Sequence, residues 1–231
     1  MRIKWAASGA PLPGWPVDIG APGWVTATPA VAGGLVYVGT TAGDHKMCAF
    51  DATTGATVWS LDCGDRVYNS SAVVGGLVYF GMGNGRLHAV NATTGAIKWL
   101  TTMAAGIWFA SPAVANGVVY VRADSGMWGV PQKLYAVNAA TGAPLWGGEL
   151  TGNPEWTSSP VVVNGMVYIG GDWNMKAFKL GTTPRPSLLA LNAQEASGNG
   201  RHGQVSGATL TAPGYEGQAC CSLNGALPNE S

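Results

Sequence analysis

Three stretches decide how this chain folds: Ala49-Phe-Asp-Ala-Thr-Thr-Gly-Ala-Thr-Val-Trp59, Ala89-Val-Asn-Ala-Thr-Thr-Gly-Ala-Ile-Lys-Trp99 and Ala136-Val-Asn-Ala-Ala-Thr-Gly-Ala-Pro-Leu-Trp146. They share the pattern Ala-x-Asp/Asn-x-x-Thr-Gly-x-x-x-Trp. The Asp or Asn can hydrogen-bond the backbone of the turn it opens, and the Thr-Gly pair completes the reversal. Each stretch therefore reads as a strand, an Asx-initiated turn and a second strand ending in tryptophan. Asp51, Gly55 and Trp59, Asn91, Gly95 and Trp99, and Asn138, Gly142 and Trp146 are read as structural, with the tryptophans docking between neighbouring units.

Upstream of each motif lies a second repeated block, and this block has a fourth copy. The copies are Thr28-Pro-Ala-Val-Ala-Gly-Gly-Leu-Val-Tyr-Val-Gly39, Ser70-Ser-Ala-Val-Val-Gly-Gly-Leu-Val-Tyr-Phe-Gly81, Ser111-Pro-Ala-Val-Ala-Asn-Gly-Val-Val-Tyr-Val121 and Ser159-Pro-Val-Val-Val-Asn-Gly-Met-Val-Tyr-Ile-Gly170. Their tyrosines, Tyr37, Tyr79, Tyr120 and Tyr168, lie 42, 41 and 48 residues apart. A fixed period of this size is the mark of a repeat architecture. The Gly-Gly and Asn-Gly pairs supply the positive φ angles of two-residue hairpins, and the flanking runs are β-branched and aromatic. Four short strands in about 40 residues is the size of one propeller blade. The chain is thus expected to be all-β, a β-propeller of four-stranded antiparallel blades in about four repeats.

Composition narrows the function. Twelve basic residues balance twelve acidic ones and only 10% of residues are charged, so no field is available to gather phosphate backbones or anionic lipid. Nucleic acid is excluded as a partner class, and no apolar run is long enough for a membrane span. Residues from Met1 to Trp5 and onward lack the apolar stretch of a secretory leader, so none is expected here. The four cysteines match neither a zinc spacing nor a disulfide framework.

The tryptophan-docking motif, matched in full three times, resembles the PQQ-type propeller repeat of quinoprotein dehydrogenases. The resemblance covers residues 26 to 180 and implies relationship to quinoprotein alcohol dehydrogenases and to an outer-membrane assembly lipoprotein that uses the same propeller without a cofactor. It also implies an extracytoplasmic location, periplasmic or secreted. Fold alone does not fix function within such a group.

The ends are read against that repeat. Gly9-Ala-Pro-Leu12 with Trp15 and Trp24 echoes Gly142-Ala-Pro-Leu145 with Trp146 and Trp156, so residues 1–25 read as the last strand of a preceding blade. Residues 26–193 are assigned to four blades, and 194–231 to a poorly ordered tail rich in Gly, Ala and Ser. The fourth repeat reaches Ala177-Phe-Lys-Leu180 without a Thr-Gly-x-x-x-Trp after it. An alternative register uses Leu188-Leu-Ala-Leu-Asn-Ala193 as its third strand, with 171–187 as an insertion. Either the N-terminal strand completes the fourth blade and closes a ring, or the array is part of a longer one. An incomplete ring is favoured, with apolar blade faces that would self-associate or take another protein or a missing propeller portion.

Candidate site residues come from the connections between blades. Trp24, Trp108 and Trp156 occupy equivalent positions before the innermost strands, where the second blade has Val67 or Tyr68 beside Arg66. With Arg66, Arg122, Asp124 and Asp172 they would rim an aromatic funnel able to stack a flat ligand or a sugar, against the plainer reading that they pack between blades. Asp44, Asp62, Asp65, Asp124, Glu149, Glu155 and Asp172 read as solvated loop residues. His88 aligns with Cys48, Tyr135 and Lys176 and reads as a tolerated position. The family's vicinal disulfide finds only Cys220-Cys221, beyond the last recognisable blade, as a counterpart. No catalytic residues, no metal ligands and no cofactor are assigned. The sequence is read as a non-catalytic binding or assembly module or part of a larger propeller protein. The alternative is a portion of a PQQ- and calcium-dependent alcohol dehydrogenase.

Overall fold

The computed structural model describes residues 12–19, 25–41, 43, 45–124, 132–150, 158–170 and 174–179. Among the described residues fifteen strands make four antiparallel sheets, each ordered as in the chain. Blade 1 holds β1 (Ala30–Ala32), β2 (Leu35–Gly39), β3 (Lys46–Asp51) and β4 (Thr57–Asp62). Blade 2 holds β5 (Ala72–Val74), β6 (Leu77–Gly81), β7 (Arg86–Asn91) and β8 (Ile97–Thr102), and blade 3 holds β9 (Ala113–Ala115), β10 (Val118–Ala123), β11 (Gln132–Asn138) and β12 (Pro144–Leu150). Blade 4 has β13 (Val161–Val163), β14 (Met166–Gly170) and β15 (Met175–Lys179) among the described residues. The last strand decides between the two registers of the fourth repeat: β14 pairs with β15, Tyr168 opposite Ala177, and no insertion intervenes. The sheets do not close into a ring among the described residues, as expected of an incomplete array.

The register explains why one motif recurs. Tyr37, Ala49 and Trp59 form one row across blade 1, Tyr79, Ala89 and Trp99 the same row in blade 2, and Tyr120, Ala136 and Trp146 in blade 3. The small alanine between two aromatics leaves a groove into which the next blade's Asx turn fits. Trp59 Nε1–H and the Tyr37 hydroxyl both donate to the Ala92 carbonyl, at 2.8 and 3.2 Å. Trp99 and Tyr79 repeat the arrangement on the Ala139 carbonyl at 2.9 and 3.2 Å. The turns themselves are held as read from sequence, with the Asp51, Asn91 and Asn138 Oδ1 atoms each accepting two backbone N–H bonds. Those bonds hold the exposed Asp51 carboxyl below its usual range.

Each interface between blades is its own apolar cluster. Tyr37, Met47, Ala49 and Trp59 meet Val78, Phe80 and Val90 of blade 2, whose opposite face presents Tyr79, Leu87 and Trp99 to Val119, Val121 and Val137 of blade 3. Tyr120, Leu134 and Leu150 then meet Val167 and Ile169 of blade 4. Inner strands are linked by one repeated bond: the backbone N–H groups of Thr28, Ser70 and Ser111 donate to the hydroxyls of Ser70, Ser111 and Ser159.

Gly117 and Gly142 separate backbone strain from docking, because both have φ +74°. A Cβ on Gly117 would meet nothing within 4 Å, whereas on Gly142 it would lie 2.7 Å from the Trp99 ring. Gly117→Ala is expected to cost about 1 kcal/mol, the left-handed penalty alone. Gly142→Ala should cost about 2 kcal/mol more by displacing the indole, read as the difference in urea midpoints at constant slope.

His88 gives a second expectation. It is buried between blades 1 and 2, stacked on Phe80 at 5.2 Å between centroids, and desolvation helped by the Arg86 charge lowers its pKa to about 4. The unfolded chain binds the proton first, so stability is complete above pH 6.5 and falls as pH drops toward 4. The loss should approach 3 kcal/mol (about 1.4 kcal/mol per pH unit). His88→Phe keeps the stack and should flatten unfolding free energy over that window.

Candidate functional site

The loops that drop from one blade to the next are fixed by backbone pairing. Val67 N–H donates to the Thr40 carbonyl at 3.1 Å and Ile107 N–H to that of Met82 at 2.9 Å, so Val67 and Ile107 are equivalent. The strand-end glycines make room for them: a Cβ on Gly39 would overlap the Val67 side chain, and one on Gly81 the Ile107 side chain. Tyr68, rather than Val67, is therefore the aromatic counterpart of Trp108. The third blade's loop carries one extra residue, Phe109.

These aromatics come together. Tyr68 lies 5.5 Å from Trp108 and 5.1 Å from Phe109, ring centre to ring centre. Tyr68 and Trp108 are half-buried, while Phe109 is 58% exposed. The Trp108 indole is seated by two glycines, since a Cβ on Gly83 would meet the ring at 3.0 Å and one on Gly106 would overlap it. Arg66 is exposed beside this cluster, and the Asp65 carboxylate lies near Gly83. Of the candidate residues, Trp108 and Arg66 thus stand on this exposed rim, joined by Tyr68 and Phe109. Trp24, Trp156 and Asp172 lie outside the described residues, as do Asp44, Glu155, Cys220, Cys221 and the tail from 194.

Arg122 and Asp124 are placed differently. Arg122 occupies the position that Gly39, Gly81 and Gly170 hold in the other blades, and it is wholly buried. Its guanidinium donates to the blade 4 carbonyl of Gly170 at 3.1 Å and to Gln132 Oε1, and its Nε lies 3.7 Å from Asp124 Oδ2. Asp124 was expected to be a solvated loop residue; it is buried, with its N–H donating to the Gly106 carbonyl. The reason is the arginine: a buried cation requires an acidic partner. Glu149 also departs from the loop reading, lying within β12 opposite Lys133 at 3.6 Å.

Two polar residues that the sequence did not single out, buried Asn69 and half-buried Ser158, complete the frame. Asn69 donates through Nδ2 to the carbonyls of Gly81, Ile107 and Trp108 at 3.0 to 3.2 Å, and its Oδ1 accepts the Gly81 N–H. Ser158 clamps Gly170 in the same way. A polar residue directly before the repeated Ser70 and Ser159 was the available signal, obscured because blade 3 has Ala110 there. Gln132 carried no repeat signal, since its role exists only where Arg122 does.

As a chemical site, the arrangement offers stacking surface and one exposed guanidinium. Among the described residues no three His, Cys, Asp or Glu side chains gather to hold a metal ion. The buried Asp124 carboxylate faces Arg122.

Comparison with known proteins agrees with the architecture. The quinoprotein alcohol dehydrogenase PedH of Pseudomonas putida is 31% identical over 133 residues, covering 52% of this chain and 22% of that one. The outer membrane protein assembly factor BamB of Yersinia pestis is 32% identical over 118 residues, covering 46% of this chain and 28% of that one. Among solved structures, the quinohemoprotein alcohol dehydrogenase ADHIIG of Pseudomonas putida HK5 superposes with a TM-score of 0.55 at 27% identity, over 64% of this chain and 28% of that one. The chain spans less than a third of the length of these relatives. The family profile described as outer membrane protein assembly factor BamB matches residues 6–127 and 49–182. With most of the chain covered, and with tryptophan docking on the Ala92 and Ala139 carbonyls, this chain belongs to that family of PQQ-repeat β-propellers.

Proposed function

We propose that this chain is a non-catalytic binding or assembly module, part of a larger propeller, whose protein partner docks on the trailing face of blade 4. The observation that carries this reading is a half-made interface. Tyr168 stands in the row where Tyr37 and Tyr79 bond the next blade, yet its hydroxyl has no hydrogen bond among the described residues. The same face presents Val161, 52% exposed, and Met175, 73% exposed, next to Ala177. An apolar sheet face of this kind marks an interaction surface. The rim of Arg66, Tyr68, Trp108 and Phe109 is assigned to a flat or sugar-like ligand, with Arg122 and Asp124 bracing it from within rather than touching what binds. Likeness to an outer membrane assembly factor supports an extracytoplasmic location.

A second reading is favoured by the dehydrogenase relatives: a portion of a PQQ- and calcium-dependent alcohol dehydrogenase. The described residues do not fit that cofactor set, since the acidic side chains are dispersed and Asp124 is committed to Arg122. No step of an oxidation is derived through this chain.

Dialysis of the full chain against PQQ and calcium, followed by quinone absorbance, separates the readings. The module should retain none, and stoichiometric retention would establish the dehydrogenase portion. On the scaffold side, binding of anilinonaphthalene sulfonate, which reports exposed apolar surface, should fall in a Val161→Lys/Met175→Lys variant that keeps its unfolding midpoint. Unchanged dye binding would show that this face is not the open surface.

A further inference from the structure

The leading face of blade 1 does not stand open as the trailing face of blade 4 does. Trp15, Val17 and Ile19 are half-buried in alternation with exposed Pro16 and Asp18, and they pack on Val38, Cys48 and Phe50. Those three positions correspond to Phe80, His88 and Val90, which in blade 2 receive blade 1. Gly55 makes the same point. Its counterparts Gly95 and Gly142 lie against the docking tryptophan of the preceding blade, where a Cβ would meet the ring at 2.8 and 2.7 Å. At Gly55 a Cβ would meet Val17 Cγ2 at 2.8 Å and overlap the Gly14 carbonyl. Residues 12–19 therefore occupy the place of a preceding blade without forming a strand of one.

We propose that residues 12–19 are a built-in cap on blade 1, and that the surface beneath it is fitted to blade 4 of a second copy of this chain. The two faces carry the partners of two bonds that recur at the internal joints, those of the tyrosine hydroxyl and of the inner-strand N–H. Blade 4 offers the donors, the Tyr168 hydroxyl and the Ser159 N–H, equivalent to Tyr79 and Ser111. Blade 1 offers the acceptors, the Ala52 carbonyl and the Thr28 hydroxyl, equivalent to Ala92 and Ser70. Twelve positive and twelve negative side chains leave no net charge to hold two copies apart. Such a contact is head to tail, so an uncapped chain would assemble blade 4 onto blade 1 until the rotation closes. The cap prevents this by covering Val38, Cys48 and Phe50 of the receiving face. This inference rests on the blade 4 reading above but adds the occupant and its control.

Gly14 gives a clean handle on the cap. Its φ is +84°, and a Cβ there would overlap the Thr54 carbonyl, so Gly14→Ala should lift the cap while leaving every blade residue in place. Light scattering of the wild-type chain should give the 23.6 kDa monomer. Gly14→Ala should give at least twice that mass, with half-assembly at a concentration about tenfold lower than wild type. Tyr168→Phe in that background should weaken assembly about fivefold, Val161→Lys/Met175→Lys should abolish it, and a synthetic peptide of residues 12–19 should return the monomer. A folded Gly14→Ala chain that stays monomeric would overturn the inference while leaving the blade 4 dye test standing. So would assembly indifferent to the blade 4 changes, a wild-type chain already assembled, or loss of the fold on Gly14→Ala, since a detachable cap cannot be what holds the blades.

Discussion

One backbone carbonyl at each of the first two interfaces organises this molecule. The Ala92 and Ala139 carbonyls each receive an indole N–H and a phenol O–H from the preceding blade, although each sits in a turn that its own Asx residue has already shaped. Tryptophan and tyrosine bring large apolar area with one polar atom that must find a partner when buried. Placing both polar atoms on one acceptor satisfies them with a single protruding peptide, and the rest of both rings is free to pack. The Asx turn, the small alanine of the third strand and the turn glycine all follow from the need to bring that peptide under the indole.

Against this regular frame, blade 3 stands out because a buried arginine replaces a strand-end glycine. In blades 1 and 2 the glycine admits an apolar side chain from the next loop, a contact worth its burial and little else. At Arg122 the same position sends a guanidinium across to blade 4, which then requires Asp124 and Gln132 close by. A buried ion pair of this type is weak evidence for added stability but ties two elements in one geometry. Among the described residues the junction between blades 3 and 4 adds these polar bonds to its apolar cluster, in which Trp146 lies tilted against Phe178 at 5.7 Å between ring centres, whereas the other junctions carry tryptophan bonds to turn carbonyls.

The frame was legible in the sequence because its requirements repeat. Tyr37, Tyr79, Tyr120 and Tyr168 recur with their hairpin glycines, and the hairpin of the first two strands in every blade follows from that spacing, whereas the third strand of blade 4 stayed open between two registers because no Thr-Gly-x-x-x-Trp follows it. Trp108 and Arg66 could be singled out as loop residues for the same reason. The interior of Asp124 could not, because an aspartate in a turn-rich segment reads as solvated until the cation beside it is known, and Arg122 breaks the repeat rather than following it. Asn69 was hidden by Ala110: a clamp present in blades 2 and 4 and absent in blade 3 leaves no period to detect.

The two end faces show how an array of identical joints acquires direction. The joints between blades 1 and 2 and between blades 2 and 3 each have a donating side with tyrosine and tryptophan and a receiving side with a carbonyl and a glycine. Apolar side chains on the receiving end here, Val38 and Phe50, are covered from within the chain by Trp15, Val17 and Ile19. The donating end keeps Tyr168, Val161 and Met175 uncovered among the described residues. Burying one end and not the other makes association directional, since a partner that offers a turn carbonyl can be taken up while one that offers an indole meets an occupied site.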